Sequence, residues 1–498
     1  MYAFILMTFL LTGAIAQPHE SRPGNDISRE DVEMQLRFLA DDALKGRYTG
    51  SEGGAVAAAF IKGTLLSLGY QSPEGVEGLY QPVPLQAVSP PDSSALTIGS
   101  EQYIHLQDYL ILGGKPTELT ANAVFAGYGW RDDNQDDYEG LDVDGKVVFV
   151  LPGTPEGQDP NTVFQAMQEK RKLAASHGAV ALFELYRLNF PWNFFLRYFG
   201  KESMRLTEES EAHQSMTYGW INDISGSETW ADMQKGIPTE VGLFSSGFRE
   251  RPINSRNVVG ILPGTDSLLS QEYIILTAHY DHVGVGEQGG RYSSEDSIFN
   301  GARDNAMGVV ALLGAAKSLA KSPPARSVIV VAFTGEELGL LGSSYYAENP
   351  VIPLSQTIFN LNMDGGGYNT TEHVSVFGYD RVGVQSHLDQ AASQENLNVL
   401  ADPAPRQNLY DRSDNVSFAK KGVPAITFSP GLTDFDEEIG KYYHRPEDEA
   451  SSVDMDYLLK YCLVAARTAR LIANDIQRPF WVEGDAYEPQ GKLLYGVK

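Results

Sequence analysis

The sequence predicts an α/β fold, with a mostly parallel mixed sheet flanked by helices and a smaller β-rich domain inserted into the chain. After Asn257, apolar strand-like runs such as YIILTAHYD and SVIVVAFTG alternate with helical segments such as DNAMGVVALLGAAKSLA. This alternation is typical of a sheet that is covered on both faces. Between about Ser89 and Glu250 the pattern changes to short β-like runs such as ANAVFAGYG and GKVVFVLPG, which indicates a separate β-rich domain.

The chain begins with an apolar segment, MYAFILMTFLLTGAIA, which ends in the small-x-small pattern Ala14-Ile15-Ala16. This pattern is typical of a secretory signal peptide, and we expect cleavage before Gln17. A membrane anchor is the alternative, but the apolar run is shorter than the roughly 20 residues that a spanning helix needs. No later segment is apolar enough to span a membrane. The sequence therefore predicts a secreted or periplasmic protein with no membrane association after cleavage.

Further elements follow along the chain. EDVEMQLRFLADDALKG and AVAAAFIKGTLLSLGY predict two helices near the N-terminus, ELGLLGSSYYAEN predicts a later helix, and QTIFNLNMD and PAITFS predict later strands. The aromatic stretch LNFPWNFFLRYFG within the insert is interpreted as core or interdomain packing, with a substrate-facing surface as the alternative. The predicted units are a signal peptide (1–16), the N-terminal part of the main domain (17–88), the insert (89–250), the remainder of the main domain (251–475) and a C-terminal tail (476–498).

Charge and cysteine content exclude several classes of function. The formal net charge of −27 disfavours binding to nucleic acid or to anionic membranes, and it favours cations, including metals. Cys462 is the only cysteine, so an intramolecular disulfide and a metal site built from cysteines are both excluded. Its neighbours, YLLKYCLVAA, are mostly apolar, which predicts a buried, inert thiol. The oligomeric state is left open.

Polar side chains follow the predicted strands at the points where those strands end or the next helix begins. These residues are His279 with Asp281, Glu336 with Glu337, Asp364, and Asp304. Reactive groups in such sheets collect at the carboxyl ends of the strands, so we expect these side chains to converge. Imidazole nitrogen and carboxylate oxygen are zinc ligands. The sequence therefore predicts a metal site, at which two ions could share one carboxylate.

Glu336 and Glu337 are the most informative pair. Adjacent carboxylates repel each other, and their burial is unfavourable unless cations or protons neutralise them. Consecutive side chains also point in different directions. One of the two can therefore bind a metal while the other accepts a proton from water.

Five segments, TAHYDHVG, GARDNAMGVVALL, FTGEELGLLGSSYY, NMDGGG and YHRPEDE, resemble the M28 metallopeptidases, the co-catalytic zinc aminopeptidases and their relatives. The resemblance extends from about Ser28 to Asn474. It implies that two zinc ions are held by His279 and Asp364, by Glu337 and His444, and by Asp304 as the bridge. It further implies that Glu336 is the general base, that Asp281 orients His279 and that Tyr410 stabilises the tetrahedral intermediate. Many relatives have histidine where this chain has Asn415.

The insert, with FAGYGWRDDNQDDYEGLDVDGKVVFV, resembles a protease-associated (PA) domain. The resemblance as a whole implies an aminopeptidase that acts on peptide substrates. Three alternatives remain: a carboxypeptidase of the same family, a single-zinc acyltransferase similar to glutaminyl cyclase, and a non-catalytic, receptor-like protein. A carboxypeptidase for acidic C-terminal residues would require arginines over the metals, and the candidates are Arg303, Arg406, Arg412 and Arg445.

Overall fold

The computed structural model describes residues 26–133, 135–188, 191–207, 216–223 and 228–497, so the predicted signal peptide lies outside the described residues. The strands are β1 (Tyr80–Ser89), β2 (Ser94–Ile98), β3 (Glu101–Tyr103), β4 (Tyr109–Gly113), β5 (Thr117–Phe125), β6 (Val147–Val150), β7 (Ala181–Tyr186), β8 (Ser203–Leu206), β9 (Thr217–Asn222), β10 (Glu240–Ser245), β11 (Arg249–Leu262), β12 (Tyr273–His279), β13 (Ser327–Phe333), β14 (Thr357–Met363), β15 (His373–Phe377), β16 (Asn398–Ala401) and β17 (Ala425–Pro430). The helices are α1 (Arg29–Leu39), α2 (Glu52–Ser67), α3 (Pro160–Ser176), α4 (Trp192–Phe199), α5 (Glu228–Gln234), α6 (Met307–Lys321), α7 (Leu341–Glu348), α8 (Gln385–Ser393), α9 (Asn415–Ala419), α10 (Glu437–Tyr442), α11 (Met455–Asn474) and α12 (Glu488–Tyr495).

The main domain is built on a nine-stranded sheet with the order β16-β15-β17-β14-β12-β13-β11-β1-β8. Its centre, from β13 through β12 and β14 to β17, is parallel, whereas β11, β1 and β8 continue it as antiparallel strands. Every residue of β13 and β14 is buried, as expected for parallel strands covered on both faces. The predicted mixed α/β fold is thereby confirmed.

Two helices pack together against the main sheet. Most of α6 is buried, and α11 buries the side chain of Cys462 completely, as the sequence predicts. Burial raises the pKa of the Cys462 thiol, which keeps it in the unreactive protonated form. Asp454 begins α11 by accepting hydrogen bonds from the backbone N–H groups of Asp456 and Tyr457, which satisfies donors that have no partner within the helix.

The second sheet belongs to the insert and has eight strands, in the order β3-β2-β10-β5-β6-β7-β9-β4. The insert leaves the main domain along β1 and returns along β11, and these two strands pair over their whole shared length, from Tyr80 opposite Val258 to Ser89 opposite Arg249. One short strand, β8, comes out of the insert and pairs with β1. The insert is therefore attached to the main sheet at three strands.

The aromatic stretch of the insert is largely a packing element. Trp192 and Phe195 of α4 are buried together with Tyr186 and Trp220 in the core of the insert, and this agrees with the interpretation as packing. Phe199, at the end of α4, instead lines a cavity between the insert and the main domain. The stretch therefore also contributes to the interdomain surface.

The C-terminal segment, predicted as a tail, packs against the main domain throughout the part that the structure describes. Trp481 is buried and donates a hydrogen bond from Nε1 to the carbonyl oxygen of Gly422 at 2.9 Å. The hydroxyl of Tyr495 donates to the carbonyl oxygen of Thr357 at 2.5 Å, at the start of β14. Within the described residues, no helix has the length and apolarity that crossing a membrane requires.

Candidate metal centre

The candidate site lies at the carboxyl end of the parallel part of the main sheet. His279 is the last residue of β12, Asp364 follows β14 directly, and Glu336 and Glu337 lie in the turn after β13. Together with Asp304 these side chains line a cavity of about 610 Å³. The strand ends that the sequence identifies as the site of convergence therefore do converge in space.

Two short turns bring the predicted residues Asp304 and His444 to this edge. Asp304 lies in a tight turn ahead of α6, and the side chain of Asn305 supports that turn by accepting from Gly308 N–H and donating to the Met363 carbonyl oxygen. His444 follows α10 with a positive φ of 51°, a conformation that non-glycine residues adopt rarely and often at functional sites. The ring of Tyr443 stacks on that of His444, with centroids 4.1 Å apart.

Two groups of side chains could each hold a metal ion, and we call them donor groups because they would donate lone pairs to the metal. The first donor group consists of His279, Asp304 and Asp364. His279 Nε2 lies 3.1 Å from Asp364 Oδ1 and 3.5 Å from Asp304 Oδ1. The other ring nitrogen, Nδ1, lies 3.1 Å from the backbone carbonyl oxygen of Asp281. A carbonyl oxygen can only accept, so Nδ1 carries a proton, and in the neutral ring Nε2 would be the nitrogen that offers its lone pair to a metal.

A second donor group lies beside the first and consists of His282, Asp304, Glu337 and His444. His444 Nε2 lies 3.1 Å from Glu337 Oε2 and 3.3 Å from Asp304 Oδ2. Asp304 thus directs Oδ1 toward His279 and Oδ2 toward His444. The two groups share this one carboxylate, as the resemblance implies for the bridging residue.

The arrangement of these histidine and carboxylate side chains suits a bound cation better than it suits hydrogen bonds between the side chains. Although His444 Nε2 lies close to two carboxylates, it makes no hydrogen bond of acceptable geometry within the described residues. Four carboxylates, those of Asp304, Glu336, Glu337 and Asp364, line the same cavity. Buried like charges repel strongly, and a dication that accepts imidazole and carboxylate ligands would neutralise them.

The pKa values of His279 and Glu336 are both raised, for different reasons. Burial alone lowers the pKa of His279, but Glu336, Asp364 and Asp304 outweigh this effect and raise the pKa well above the usual value. Burial raises the pKa of Glu336 well above its usual range, with His279 opposing the shift and neighbouring carboxylates adding to it. The shift of His279 follows from the negative charge concentrated at this edge, and that of Glu336 follows mainly from burial.

Asp281 connects the two parts of the site, although differently from what the resemblance implies. Its carboxylate lies 3.9 Å from His279 Nδ1, and the shorter contact from that nitrogen is to the Asp281 backbone. The carboxylate instead accepts hydrogen bonds from the Glu336 backbone N–H at 3.2 Å and from the Thr49 hydroxyl at 3.0 Å. Burial raises the pKa of Asp281 to about 6. Asp281 therefore orients His279 through its carbonyl and the Glu336 turn through its carboxylate.

Other supports of the site come from distant parts of the chain. Asp448 accepts hydrogen bonds from the backbone N–H groups of Arg303 and Asp304 at 2.9 and 3.1 Å. Arg47, from the N-terminal part of the chain, is buried and donates to the carbonyl oxygens of Tyr280, Asn300 and Gly301, which surround both donor groups. These contacts hold the loops of the site in place.

Sequence reasoning missed His282. Its Nδ1 lies 2.7 Å from Glu337 Oε1, and its ring contacts that of His444 edge to face at 5.5 Å. The side chain is fully buried. The signal that could have identified His282 is its position in TAHYDHVG, the same segment that carries His279.

Tyr410 is buried and is not among the described residues that line the metal cavity. Its hydroxyl donates to the carbonyl oxygen of Ala425 at 3.0 Å, and the guanidinium of Arg381 stacks on its ring at 4.0 Å. Tyr443 is the one tyrosine among the described residues that line the metal cavity. In this structure the hydroxyl of Tyr410 is used within the fold, and its role toward a reaction intermediate stays a prediction. Asn415, where many relatives have histidine, accepts from the Thr427 hydroxyl at 2.9 Å.

The candidate arginines differ in location. Arg412 lines the cavity and is exposed, with its guanidinium 3.5 Å from the hydroxyl of Tyr443. Arg303 is buried between the rings of Tyr368 and Tyr442 and donates to backbone carbonyl groups. Among the described residues that line the metal cavity, Arg412 is the only arginine or lysine.

Several known proteins are similar to this chain. The chain is similar to Aminopeptidase YwaD of Bacillus subtilis (strain 168), with 28% identity over 207 residues, which are 41% of this chain and 42% of that protein. It is also similar to Probable lipoprotein aminopeptidase LpqL of Mycobacterium tuberculosis, with 24% identity over 95% of this chain and 94% of that protein. A solved structure of an aminopeptidase from Aneurinibacillus sp. strain AM-1 shares the fold, with a TM-score of 0.57 at 20% identity over 92% of this chain and 98% of that chain. Residues 257–469 match the model of peptidase family M28.

Proposed function

We propose that this chain is a zinc-dependent aminopeptidase that holds two zinc ions and uses Glu336 as its general base. The observation that carries the proposal is the pair of donor groups that share Asp304, with Glu336 in the same cavity. The names of the relatives, Aminopeptidase YwaD and Probable lipoprotein aminopeptidase LpqL, support the reaction class. In this proposal His279 and Asp364 hold one ion, Glu337 and His444 hold the other, and Asp304 contacts both.

The cations that line the cavity bear on the choice between an aminopeptidase and a carboxypeptidase. The carboxylates of Asp304, Glu336, Glu337 and Asp364 would be largely neutralised by two bound ions, so they do not decide which end of a peptide is bound. Arg412 is a single cation at the exposed mouth. A carboxypeptidase would require a cluster of arginines there, so the aminopeptidase is the better supported of the two.

Five apolar side chains also line the metal cavity and suit the side chain of the first substrate residue. They are Phe377, Leu409, Leu432, Phe435 and Ile439. An apolar pocket beside a charged centre would bind one side chain and leave the scissile carbonyl at the donors. We therefore expect substrates that begin with an apolar residue.

When bound, zinc supplies Lewis acidity toward the scissile carbonyl and acidifies a water molecule. Glu336 would accept the proton of that water and pass it to the leaving amine. Its backbone N–H is held by the carboxylate of Asp281, which keeps the turn of Glu336 in place during this transfer. His282 and Asp448 would hold Glu337 and Asp304 in the orientations described above.

Substitution Glu336→Gln tests the proposed base. The amide keeps the shape of the side chain but cannot accept the proton, so we expect turnover of an apolar amino-acyl arylamide to fall at least about 100-fold. Zinc content measured by elemental analysis should stay near two per chain, because Glu336 is not among the proposed ligands. Glu348→Gln is the matched control, since Glu348 is exposed and pairs with Lys421 away from the metal cavity.

Three outcomes would contradict this proposal in different ways. A Glu336→Gln variant with nearly normal turnover would remove Glu336 from the role of base. A zinc content near one per chain in the unaltered protein would favour the acyltransferase similar to glutaminyl cyclase. An unaltered protein that hydrolyses only N-blocked peptides would contradict the aminopeptidase assignment itself.

We propose in addition that the insert is a protease-associated domain and that the mature protein is secreted or periplasmic. The first proposal rests on the resemblance of FAGYGWRDDNQDDYEGLDVDGKVVFV, and the second rests on the N-terminal segment MYAFILMTFLLTGAIA. N-terminal sequencing of the exported protein would test the expected cleavage before Gln17.

A further inference from the structure

We propose that Thr49 is a positioning residue for the general base, because its hydroxyl fixes the carboxylate of Asp281 and that carboxylate holds the turn of Glu336. Thr49 lies in the segment LKGRYTGSEGG, and it precedes Asp281 by 232 residues in the chain. This inference rests on the proposed aminopeptidase function with Glu336 as the base, and it adds one residue to the groups that support that base.

The segment that carries Thr49 has an unusual backbone conformation. Lys45, Gly46 and Arg47 have positive φ values of 47°, 65° and 48° in succession, a conformation that residues other than glycine rarely adopt. At Gly46 a close approach requires glycine, because a Cβ atom there would lie 2.5 Å from the carbonyl oxygens of Gly284 and Phe299. Backbone strain of this kind persists where the surrounding structure holds it, and it is common at functional sites.

Two side chains of this segment hold Asp281 and the residue before it. The guanidinium of Arg47 donates to the carbonyl oxygen of Tyr280 at 2.8 Å, and the hydroxyl of Thr49 donates to Oδ2 of Asp281 at 3.0 Å. Thr49 and Asp281 are both buried, so bulk solvent cannot take the place of this hydroxyl. The segment therefore fixes the backbone beside Asp281 as well as the rotation of its carboxylate.

The other carboxylate oxygen of Asp281 connects Thr49 with the proposed base. Oδ1 accepts a hydrogen bond from the N–H of Glu336 at 3.2 Å. The carbonyl oxygen of Glu336 accepts from the N–H groups of Gly339 at 3.0 Å and Leu340 at 2.9 Å. The carbonyl side of Glu336 is thus held within its own turn, whereas its N–H is held by Asp281. A rotation of the Asp281 carboxylate would therefore act directly on the backbone of the base.

The Thr49 hydroxyl is what opposes such a rotation. Without it, Oδ2 of Asp281 would be buried and would lack this donor, which is unfavourable. The carboxylate would then rotate toward another donor, and its bond to the Glu336 N–H would weaken. Proton transfer depends strongly on the position of the base. Substrate binding depends on Thr49 less, because Thr49 is not among the described residues that line the metal cavity.

Substitution Thr49→Val tests this inference, because it removes the hydroxyl and keeps the shape of the side chain. With leucyl p-nitroanilide as the substrate, we expect kcat to fall about 10-fold, short of the about 100-fold loss that a larger misplacement can cause. KM should change by less than about 2-fold, since the contacts with the substrate are kept. Zinc content measured by elemental analysis should equal that of the unaltered enzyme.

Hydrogen–deuterium exchange measures the same effect without reference to turnover. The amide of Glu336 should exchange faster in Thr49→Val than in the unaltered protein, because its hydrogen bond to Asp281 would open more often. In an Asp281→Asn background, Thr49→Val should have little further effect on kcat, since both substitutions act on one pair of contacts.

Matched variants separate the hydroxyl from the packing of the side chain. Thr49→Ser keeps the hydroxyl and should keep kcat within about 3-fold of the unaltered value. Thr217→Val is the control, because Thr217 is buried in the insert and its hydroxyl lies 2.9 Å from that of Thr117, away from the metal cavity. This control should lower the temperature of thermal unfolding without lowering kcat.

Several results would overturn this inference and leave the proposed function intact. They are an unchanged kcat or an unchanged exchange rate in Thr49→Val, an equal loss of kcat in Thr49→Ser, and an equal loss in Thr217→Val. A loss of zinc from Thr49→Val would also overturn it, since Thr49 would then act on the ligands and not on the base. If the unaltered enzyme hydrolyses neither the arylamide nor any peptide, the proposed function itself fails.

Discussion

At the scale of single residues, the site depends on side chains that hold the proposed ligands as much as on the ligands themselves. Glu337 has two carboxylate oxygens, of which Oε1 contacts His282 at 2.7 Å while Oε2 contacts His444 at 3.1 Å. The bond from His282 decides which oxygen remains for a metal. Residues in this position commonly contribute about 10- to 100-fold to metal affinity.

Substitution His282→Ala should therefore weaken zinc binding by about 10- to 100-fold. Competition with a chelator of known affinity measures this change directly, without reference to turnover. His282→Gln can still donate a hydrogen bond and should restore part of the affinity. His387→Ala serves as the control, because His387 pairs with Asp475 outside the metal cavity. Equal zinc affinity in His282→Ala and the unaltered protein would show that Glu337 needs no such support.

A second prediction at the scale of single residues concerns the hydroxyl of Tyr410. Its hydroxyl donates to the Ala425 carbonyl oxygen within the fold, so Tyr410→Phe should lower the free energy of unfolding by about 1 kcal/mol. We expect turnover to change by less than about 3-fold, since a side chain that stabilises the intermediate typically contributes about 100-fold or more. Chemical denaturation and steady-state kinetics of this variant measure both quantities. If turnover instead fell by about two orders of magnitude, the result would support the role in stabilising the intermediate that the resemblance implies for Tyr410.

At the scale of elements, regular strands were predictable and irregular turns were not. The runs YIILTAHYD and SVIVVAFTG are buried on both faces, so their apolar sequence alone identifies β12 and β13. The helix predicted over 337–349 begins only at Leu341, because Gly339 and Leu340 have positive φ values of 103° and 61°. This turn separates Glu336 and Glu337 from the helix, and the spacing of apolar residues in the sequence does not predict it.

Contacts between distant segments account for the other features of the structure that the sequence did not predict. The sequence places the main donors at strand ends because the position of a donor after a strand is a local property. The contacts of Arg47 with Gly301 and of Thr49 with Asp281 join segments more than 200 residues apart. The pairing of β8 with β1 likewise depends on where the insert folds back. Such pairings follow from the packing of the whole chain, which composition and spacing do not encode.

At the scale of the whole molecule, the C-terminal segment braces the wall of the metal cavity. Arg381 forms a double hydrogen bond with Asp485 of this segment, at 2.7 and 2.9 Å, and its guanidinium stacks on Tyr410. Two residues close to Tyr410 in the chain, Leu409 and Arg412, line the cavity. A chain of contacts therefore connects the end of the protein with its proposed substrate pocket.

Trp481 is the side chain on which this connection depends most. It is 3% exposed, its Nε1 donates to the Gly422 carbonyl oxygen, and its ring packs against that of Tyr487 at 5.5 Å. Substitution Trp481→Ala would remove a large buried side chain and leave a cavity, which typically costs about 3–5 kcal/mol. We expect this loss in the free energy of unfolding measured by chemical denaturation.

The same substitution should raise KM for amino-acyl arylamides, because the segment that holds Arg381 and hence the wall of the cavity would loosen. Leu493→Ala is the control on the same segment, since Leu493 is 79% exposed and surface substitutions usually change stability by less than about 0.5 kcal/mol. If Trp481→Ala and Leu493→Ala had equal effects on both stability and KM, the C-terminal segment would be an appendage that the catalytic domain does not need. A loss of stability with unchanged KM would instead limit its role to the fold.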